Sequence, residues 1–312
     1  MSADQGLDRE SVLYGAAGYL IQELGQRGIT AEVIMTEHGR ALQLEGMGML
    51  SMGNVADDLM TTPPSQWETM LQRWVQFAVE ASQTRSAPKP SADELLSLVR
   101  TRIIATADAD SHSYGRPVVE GLFQVLSLDY PTHVVTLTDA NIGDLEVSLD
   151  VLFDQGQINT DAEPIDETFS ENGVRCVTGD SMFIASKIGN IPALLGRLGV
   201  EAPDGLLFAV PNRSLLMYSL PTREEGLGGI VAIAQMVDSF TPEAGFNNPG
   251  GLLSRNAFYW APDGAIEPQM SSYQEVHDRA ASHGQDLDLP EDHTLVIQPG
   301  AVFSRRFIMG LE

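Results

Sequence analysis

The sequence predicts an α+β fold, with a small N-terminal α-β-β-(β)-α module followed by a larger, mainly antiparallel α+β domain. Three observations carry this reading. Stretches with helical apolar spacing alternate irregularly with short strand-like runs. Many of the connections between those runs are hairpin-length rather than crossover-length. A Pro- and Ser-containing segment, TRSAPKPSA at 84–92, separates the two parts. The predicted organisation is a small module at 1–83, a linker at 84–92 and a domain at 93–312.

Residues 8–25 read as an amphipathic helix, with Leu13, Ala17, Leu20 and Leu24 on one face. Val33 and Met35, then Leu42 and Leu44, alternate on two strands around His38-Gly39, which predicts a hairpin. GMGMLSMGNV adds a third short strand. Pro63 and Pro64 stop that segment, Ser65 and Glu68 have the spacing of a capping box, and Trp67, Met70, Leu71, Trp74 and Phe77 line the next helix. After the linker, Ser91 and Glu94 predict a helix through LLSLVRTRII. A polar loop, TADADSHSYGRP, leads to strands at 122–128 and 133–138, and Ser148 caps a helix through LDVLFDQGQIN. TDAEPIDETFSEN reads as an acidic loop and GVRCVT as a strand. GLLFAV and SLLMYSL flank Pro211-Asn212-Arg213 as a hairpin, and 223–240 is largely helical. AFYW and AIEP form a further strand–turn–strand, and TLVIQ a last strand.

Composition excludes several functions. Asp and Glu number 43 against 18 Lys and Arg, for a net charge of −25, and the lysines are Lys89 and Lys187 alone. Nucleic-acid binding rests on Lys and Arg against phosphates, and an anionic membrane surface repels such a chain. A basic protein partner is instead drawn to it. The longest apolar stretch, GGIVAIAQMV, is too short to span a bilayer. One cysteine, Cys176, allows no intramolecular disulfide, and MSADQGLDRE carries no signal-peptide pattern. Both predict a cytoplasmic protein.

No catalytic or cofactor motif is complete. Gly179-Asp180-Ser181-Met182 is similar to the serine motif of LexA-type and signal-peptidase-type Ser-Lys proteases, but Lys187 follows too closely and no lysine comes later. Ser181 reads as a helix cap. Asp108, Asp110 and His112 have alternate spacing, yet position twelve from Asp108 is Val119, so the EF-hand pattern fails. His277, His283 and His293 lie among carboxylates without the tight pairing of a zinc site. Cys176 sits in an apolar strand, the setting of a structural thiol. GLGGIVAIA is no nucleotide-binding glycine motif. No cofactor and no metal is expected.

In whole-chain layout the sequence resembles the YtpQ-like family of uncharacterised bacterial proteins. The blocks that carry the resemblance are ALQLEGMGMLSMGNVADDL with WETMLQRWVQF, LLSLVRTRII, FQVLSLDYPTHVVTLT, GDSMFIASKIGNIPALLGRLGVEAPDGLLFAVPNRSLLMYSL and LLSRNAFYWAPDG. Ser214 departs from the family's pattern, in which an acidic residue often follows Asn-Arg. The resemblance implies a cytoplasmic α+β protein and no particular reaction.

The functional expectation is therefore a non-enzymatic, protein-interaction or chaperone-like protein with a basic partner. Candidate partner-binding residues are Asn212, which suits a left-handed turn, Arg213, Tyr259, Trp260, and the acidic Asp286 and Asp288. The acidic stretch 161–171 joins them. A sharper form makes the chain an immunity protein that neutralises a basic toxin. The rival is an enzyme whose site is assembled in space from Ser181, Ser186, Lys187 and Arg213.

Overall fold

The structure, a computed structural model, describes residues 8–36, 39–45, 48–86, 90–143, 145–240, 251–272 and 295–309. The fold is α+β with antiparallel sheets. The chain divides into two compact units: the first holds residues 1–93 and 129–135, the second 94–128 and 136–312.

In the first unit, α1 (Arg9–Gln26) starts at Asp8, whose carboxylate accepts from Glu10 N and Ser11 N. Leu13, Ala17, Leu20 and Leu24, the predicted apolar face, are all buried. Strands β1 (Ala31–Thr36), β2 (Gly39–Leu44) and β3 (Gly48–Ser51) form a sheet in that order, with Val33 opposite Leu42 and Leu42 opposite Leu50. The chain then turns directly into α2 (Met52–Thr61), a helix that the strand reading missed. Its Val55, Ala56 and Leu59 recur at helical spacing and are buried against α1. Next comes α3 (Trp67–Ser86), entered through a 3₁₀ turn at Pro64–Gln66. Pro63 holds the cap position of that turn and offers no side-chain hydrogen bond, so the helical winding begins ahead of the predicted box. Trp74 Nε1 donates to Asp58 Oδ2 (3.1 Å), and Trp67 Nε1 to Leu59 O (2.8 Å), tying α3 to α2. Because α3 runs to Ser86, part of the predicted linker is helix.

The second unit opens with α4 (Ala92–Leu98), and at Val99 the predicted long helix gives way to β4 (Val99–Ala105). Val99, Thr101 and Ile103 are buried on one side and Arg100 and Arg102 lie on the other, a period of two that β-branched residues favour. β4, β6 (Leu122–Asp129) and β5 (Arg116–Val119) are neighbours in that order. β7 (Val134–Thr136), whose first two residues belong to the first unit, leads into α5 (Asp139–Ile142), and α6 (Leu149–Ala162) lies on β4. Ser148 takes the cap position of α6 without a side-chain hydrogen bond. The outer N–H groups of β4 are satisfied by hydroxyls: Thr101 N donates to Thr160 Oγ1 and Ile103 N to Ser186 Oγ, both at 3.0 Å.

The larger sheet is built from β8 (Glu167–Glu171), β9 (Val174–Thr178), β10 (Leu206–Asn212), β11 (Leu215–Ser219), β12 (Phe258–Trp260) and β13 (Ile266–Pro268), in the order β13-β12-β10-β11-β9-β8. β8 takes five residues of the predicted acidic loop. Its turn is Asn172-Gly173, both at positive φ (49° and 81°), the backbone of a two-residue hairpin that these residue types supply. The central β10 and β11 are buried along their whole length. One face of the sheet packs on α8 (Gly228–Ser239) and a short C-terminal helix, Ala301–Phe303, that continues as a π-helical turn through Ile308. The other face packs on a 3₁₀ segment, Ala185–Asn190, and α7 (Ile191–Leu198). The pair β14 (Met270–Ser272) and β15 (Leu295–Ile297) stands apart from this sheet. Among the described residues no helix is long and apolar enough to cross a membrane.

Candidate functional site

The polar groups singled out in the sequence gather around Ala185–Asn190, where β9, the β10–β11 turn, α6 and β4 meet. Asn212 is buried. Rather than adopting the left-handed turn expected of it, it ends β10, and its Oδ1 accepts from Ser214 N (2.9 Å). Positive φ belongs to Asn172 alone among the described non-glycine residues, because the sharp two-residue turn is there. The carbonyl of Arg213 accepts from Ala185 N (3.0 Å), and Thr178 Oγ1 donates to Ser214 O (3.0 Å), so the turn is clamped from both sides.

Ser181 Oγ donates to Glu163 Oε2 (2.9 Å) and accepts from Phe183 N (3.2 Å), closing a turn ahead of the 3₁₀ segment. Glu163 Oε1 in turn holds Arg100 Nε at 2.8 Å. Lys187, 1% exposed, spreads its ammonium over three carbonyls at the end of α6: Thr160 O (2.8 Å), Asp161 O (3.2 Å) and Glu163 O (2.8 Å). These are the acceptors a helix C-terminus leaves open, and a cation there also meets the negative end of the helix dipole. Burial pushes Lys187 down to about 8, helped by Arg197 and opposed by Asp161 and Glu163. Ser181, Ser186, Lys187 and the Arg213 backbone thus do converge, but each is bonded into the scaffold. Ser181 faces a carboxylate, and the Lys187 donors are all taken, so no nucleophile–base pair is formed between them.

The remaining sequence candidates fall elsewhere. Tyr259 is fully buried; its hydroxyl donates to Asp204 O (2.7 Å) and its ring meets Phe303 and Phe307 edge-on. It has no surface to offer a partner. Phe258 and partly buried Trp260 pack on the opposite face of the sheet, as strand alternation requires. Replacing Tyr259 by Phe is expected to cost about 1 kcal/mol in urea unfolding, the net worth of one hydrogen bond. Cys176 is buried and its thiol is pushed up to about 11 by burial and Glu171, which leaves it protonated and unreactive. His112 is lowered by burial, and no three His, Cys, Asp or Glu side chains among the described residues are grouped to hold a metal ion. Asp286, Asp288, His277, His283 and His293 lie outside the described residues.

The feature that the sequence reading missed is the edge formed by β8. Among the described residues it is the last strand of the sheet, and its only neighbour in the strand order is β9. Glu171 pairs with Val174 across the two-residue turn, Phe169 with Cys176 and Glu167 with Thr178. In an antiparallel ladder bonded and non-bonded pairs alternate, so the N–H and C=O groups of Thr168 and Ser170 point away from β9. Glu167 and Glu171 are exposed and stand on the opposite face from Arg175, whose guanidinium lies over the Tyr218 ring at 5.8 Å. Beside β8 runs a shallow groove of about 170 Å³, lined by Thr168, Ser170, Arg175, Leu198, Val200 and Tyr218. Asn172-Gly173 between two short alternating runs was the signal that would have found this hairpin.

No family model, no curated protein and no solved structure matches this chain.

Proposed function

We propose that this chain is a protein-interaction module that takes an extended, basic segment of a partner protein onto the open edge of β8. The observation that carries this reading is the edge itself. Thr168 and Ser170 present backbone groups that no other described strand pairs, flanked by the exposed carboxylates of Glu167 and Glu171. Strand addition supplies main-chain hydrogen bonds, and alternate side chains of the guest supply specificity. On one face of an added strand, cationic side chains meet Glu167 and Glu171; on the other, small apolar ones reach the groove beside Leu198, Val200 and Tyr218. A net charge of −25 steers such a partner inward from a distance. Natural sheets protect exposed edges against indiscriminate pairing, and a charged edge admits one kind of guest.

The test is fluorescence anisotropy with a labelled heptapeptide of alternating Lys and Val, against a Glu-Val control. The basic peptide is expected to bind, more weakly as salt rises, and the acidic one not to bind. Thr168→Pro removes an outward N–H without touching the β8–β9 ladder, so the fold should hold while binding falls at least tenfold. Glu167→Lys with Glu171→Lys should weaken the basic peptide as strongly. Equal binding of the two peptides, or full binding by Thr168→Pro, overturns the reading.

A further inference from the structure

The Asn172-Gly173 turn carries a chemistry of its own, independent of what the β8 edge binds. It is the sole Asn-Gly pair in the sequence. Both residues are exposed, and the turn joins β8 to β9 with Glu171 opposite Val174. Among the described residues, neither the Asn172 amide nor the Gly173 N–H has a hydrogen-bond partner. The other asparagines whose side chains are described are held. Asn141 Oδ1 accepts from Thr138 N (2.9 Å) and Asn212 Oδ1 from Ser214 N (2.9 Å). Asn159 Nδ2 donates to Val99 O (2.8 Å), Asn190 Nδ2 to Asp161 Oδ2 (2.6 Å) and Asn256 Nδ2 to Met270 O (2.9 Å). The two Asp-Gly pairs are the nearest chemical analogues, and in both the glycine N–H is bonded: Gly205 N to Ala202 O (3.1 Å) and Gly264 N to Ala261 O (2.9 Å).

A glycine after an asparagine leaves the main-chain nitrogen unshielded, because no β-carbon stands over it. Attack by that nitrogen needs the turn to flex out of its hairpin geometry, and β8 permits this. Four of its five residues are exposed, and Phe169 alone packs on the core. Short strands at a sheet edge open more readily than the strands inside it.

We propose that Asn172 is a self-modification site, and that its isoaspartate product frees β8 from β9 at the turn. Gly173 N attacks Asn172 Cγ. The new N–Cγ bond closes a five-membered imide, the Cγ–Nδ2 bond breaks, and ammonia leaves with the proton that Gly173 N gives up. Water then adds to one of the two imide carbonyls. Cleavage at Cγ yields aspartate, and cleavage at the main-chain carbonyl yields isoaspartate. Isoaspartate carries Cβ in the main chain, so the two-residue loop gains a backbone atom. Hairpin register is set by loop length, and the new carboxylate stands next to that of Glu171.

Incubation of the full chain in mildly alkaline buffer made with ¹⁸O-labelled water, followed by peptide mapping, tests this. The peptide holding Asn172 is expected to gain labelled oxygen and to resolve into aspartate and isoaspartate forms, at least tenfold faster than any peptide holding another described asparagine. Gly173→Ala is expected to slow the conversion at least tenfold. An alanine at φ +81° loosens the turn, so slowing in that variant reports the shielded nitrogen and not a stiffer hairpin. In the isolated isoaspartate form, hydrogen exchange at the Phe169 amide, which faces β9, should be at least tenfold faster than in the unmodified chain, with the β10 and β11 amides unchanged. Absence of isoaspartate at 172, an equal rate in Gly173→Ala, or unaltered Phe169 exchange in the isoaspartate form overturns the proposal.

Discussion

Lys187→Ala is expected to destabilise the chain by about 3–5 kcal/mol in urea unfolding. The change orphans the carbonyls of Thr160, Asp161 and Glu163 and opens a cavity where a fully buried side chain stood. Lys187→Met separates the two effects. It refills most of the volume and leaves the carbonyls unpaired, so about 1–3 kcal/mol should remain. The pH dependence has a definite sign. Folding lowers this lysine from its ordinary 10.5 to about 8. Between those values the unfolded chain keeps a proton that the folded chain has lost, so this group's contribution to stability rises with pH across that window. In Lys187→Met that rise should disappear. An alkaline stability profile identical to the wild type would show that the ammonium keeps its proton in the fold.

Gly205→Ala is expected to cost about 3–5 kcal/mol, by two mechanisms acting at one atom. Gly205 has φ +91°, a region that a β-carbon makes unfavourable, and that β-carbon would press into the Trp260 carbonyl and stand 2.7 Å from the Tyr259 hydroxyl. Neither neighbour can withdraw cheaply. Trp260 pairs with Leu206 in the β10–β12 ladder, and the Tyr259 hydroxyl is bound to Asp204 O. Thermal unfolding would check this. A loss below about 1 kcal/mol would mean that the 203–206 turn re-forms without disturbing β12.

Much of the architecture was readable where apolar spacing is long and punctuated. α1 and α3 were found from their apolar faces, and the β10–β11 hairpin from two apolar runs around a Pro-Asn turn. Errors arose where the local pattern supports two periods. Leu95 through Ile104 is rich enough in apolar residues to read as one helix, yet the alternation of Arg100 and Arg102 with Thr101 and Ile103 suits a strand, and pairing with β6 selects it. α2 was hidden because its short apolar set follows a strand without a loop between. The candidate site was less legible than the fold. That β8 lies at an edge is a fact of strand order, which no local pattern encodes.

The way β4 is finished has a consequence during synthesis. Its outer amides are closed by Thr160, 59 residues downstream of Thr101, and by Ser186, 83 residues downstream of Ile103. Once β6 is complete at Asp129, a ribosome adding about 5–20 residues per second needs roughly 3–11 seconds to reach Ser186. Through that interval the nascent β4–β6 hairpin carries a raw flank able to catch a neighbouring nascent chain. Crowded polysomes are thus where this flank would be caught, and slower translation through 129–186 would prolong the exposure.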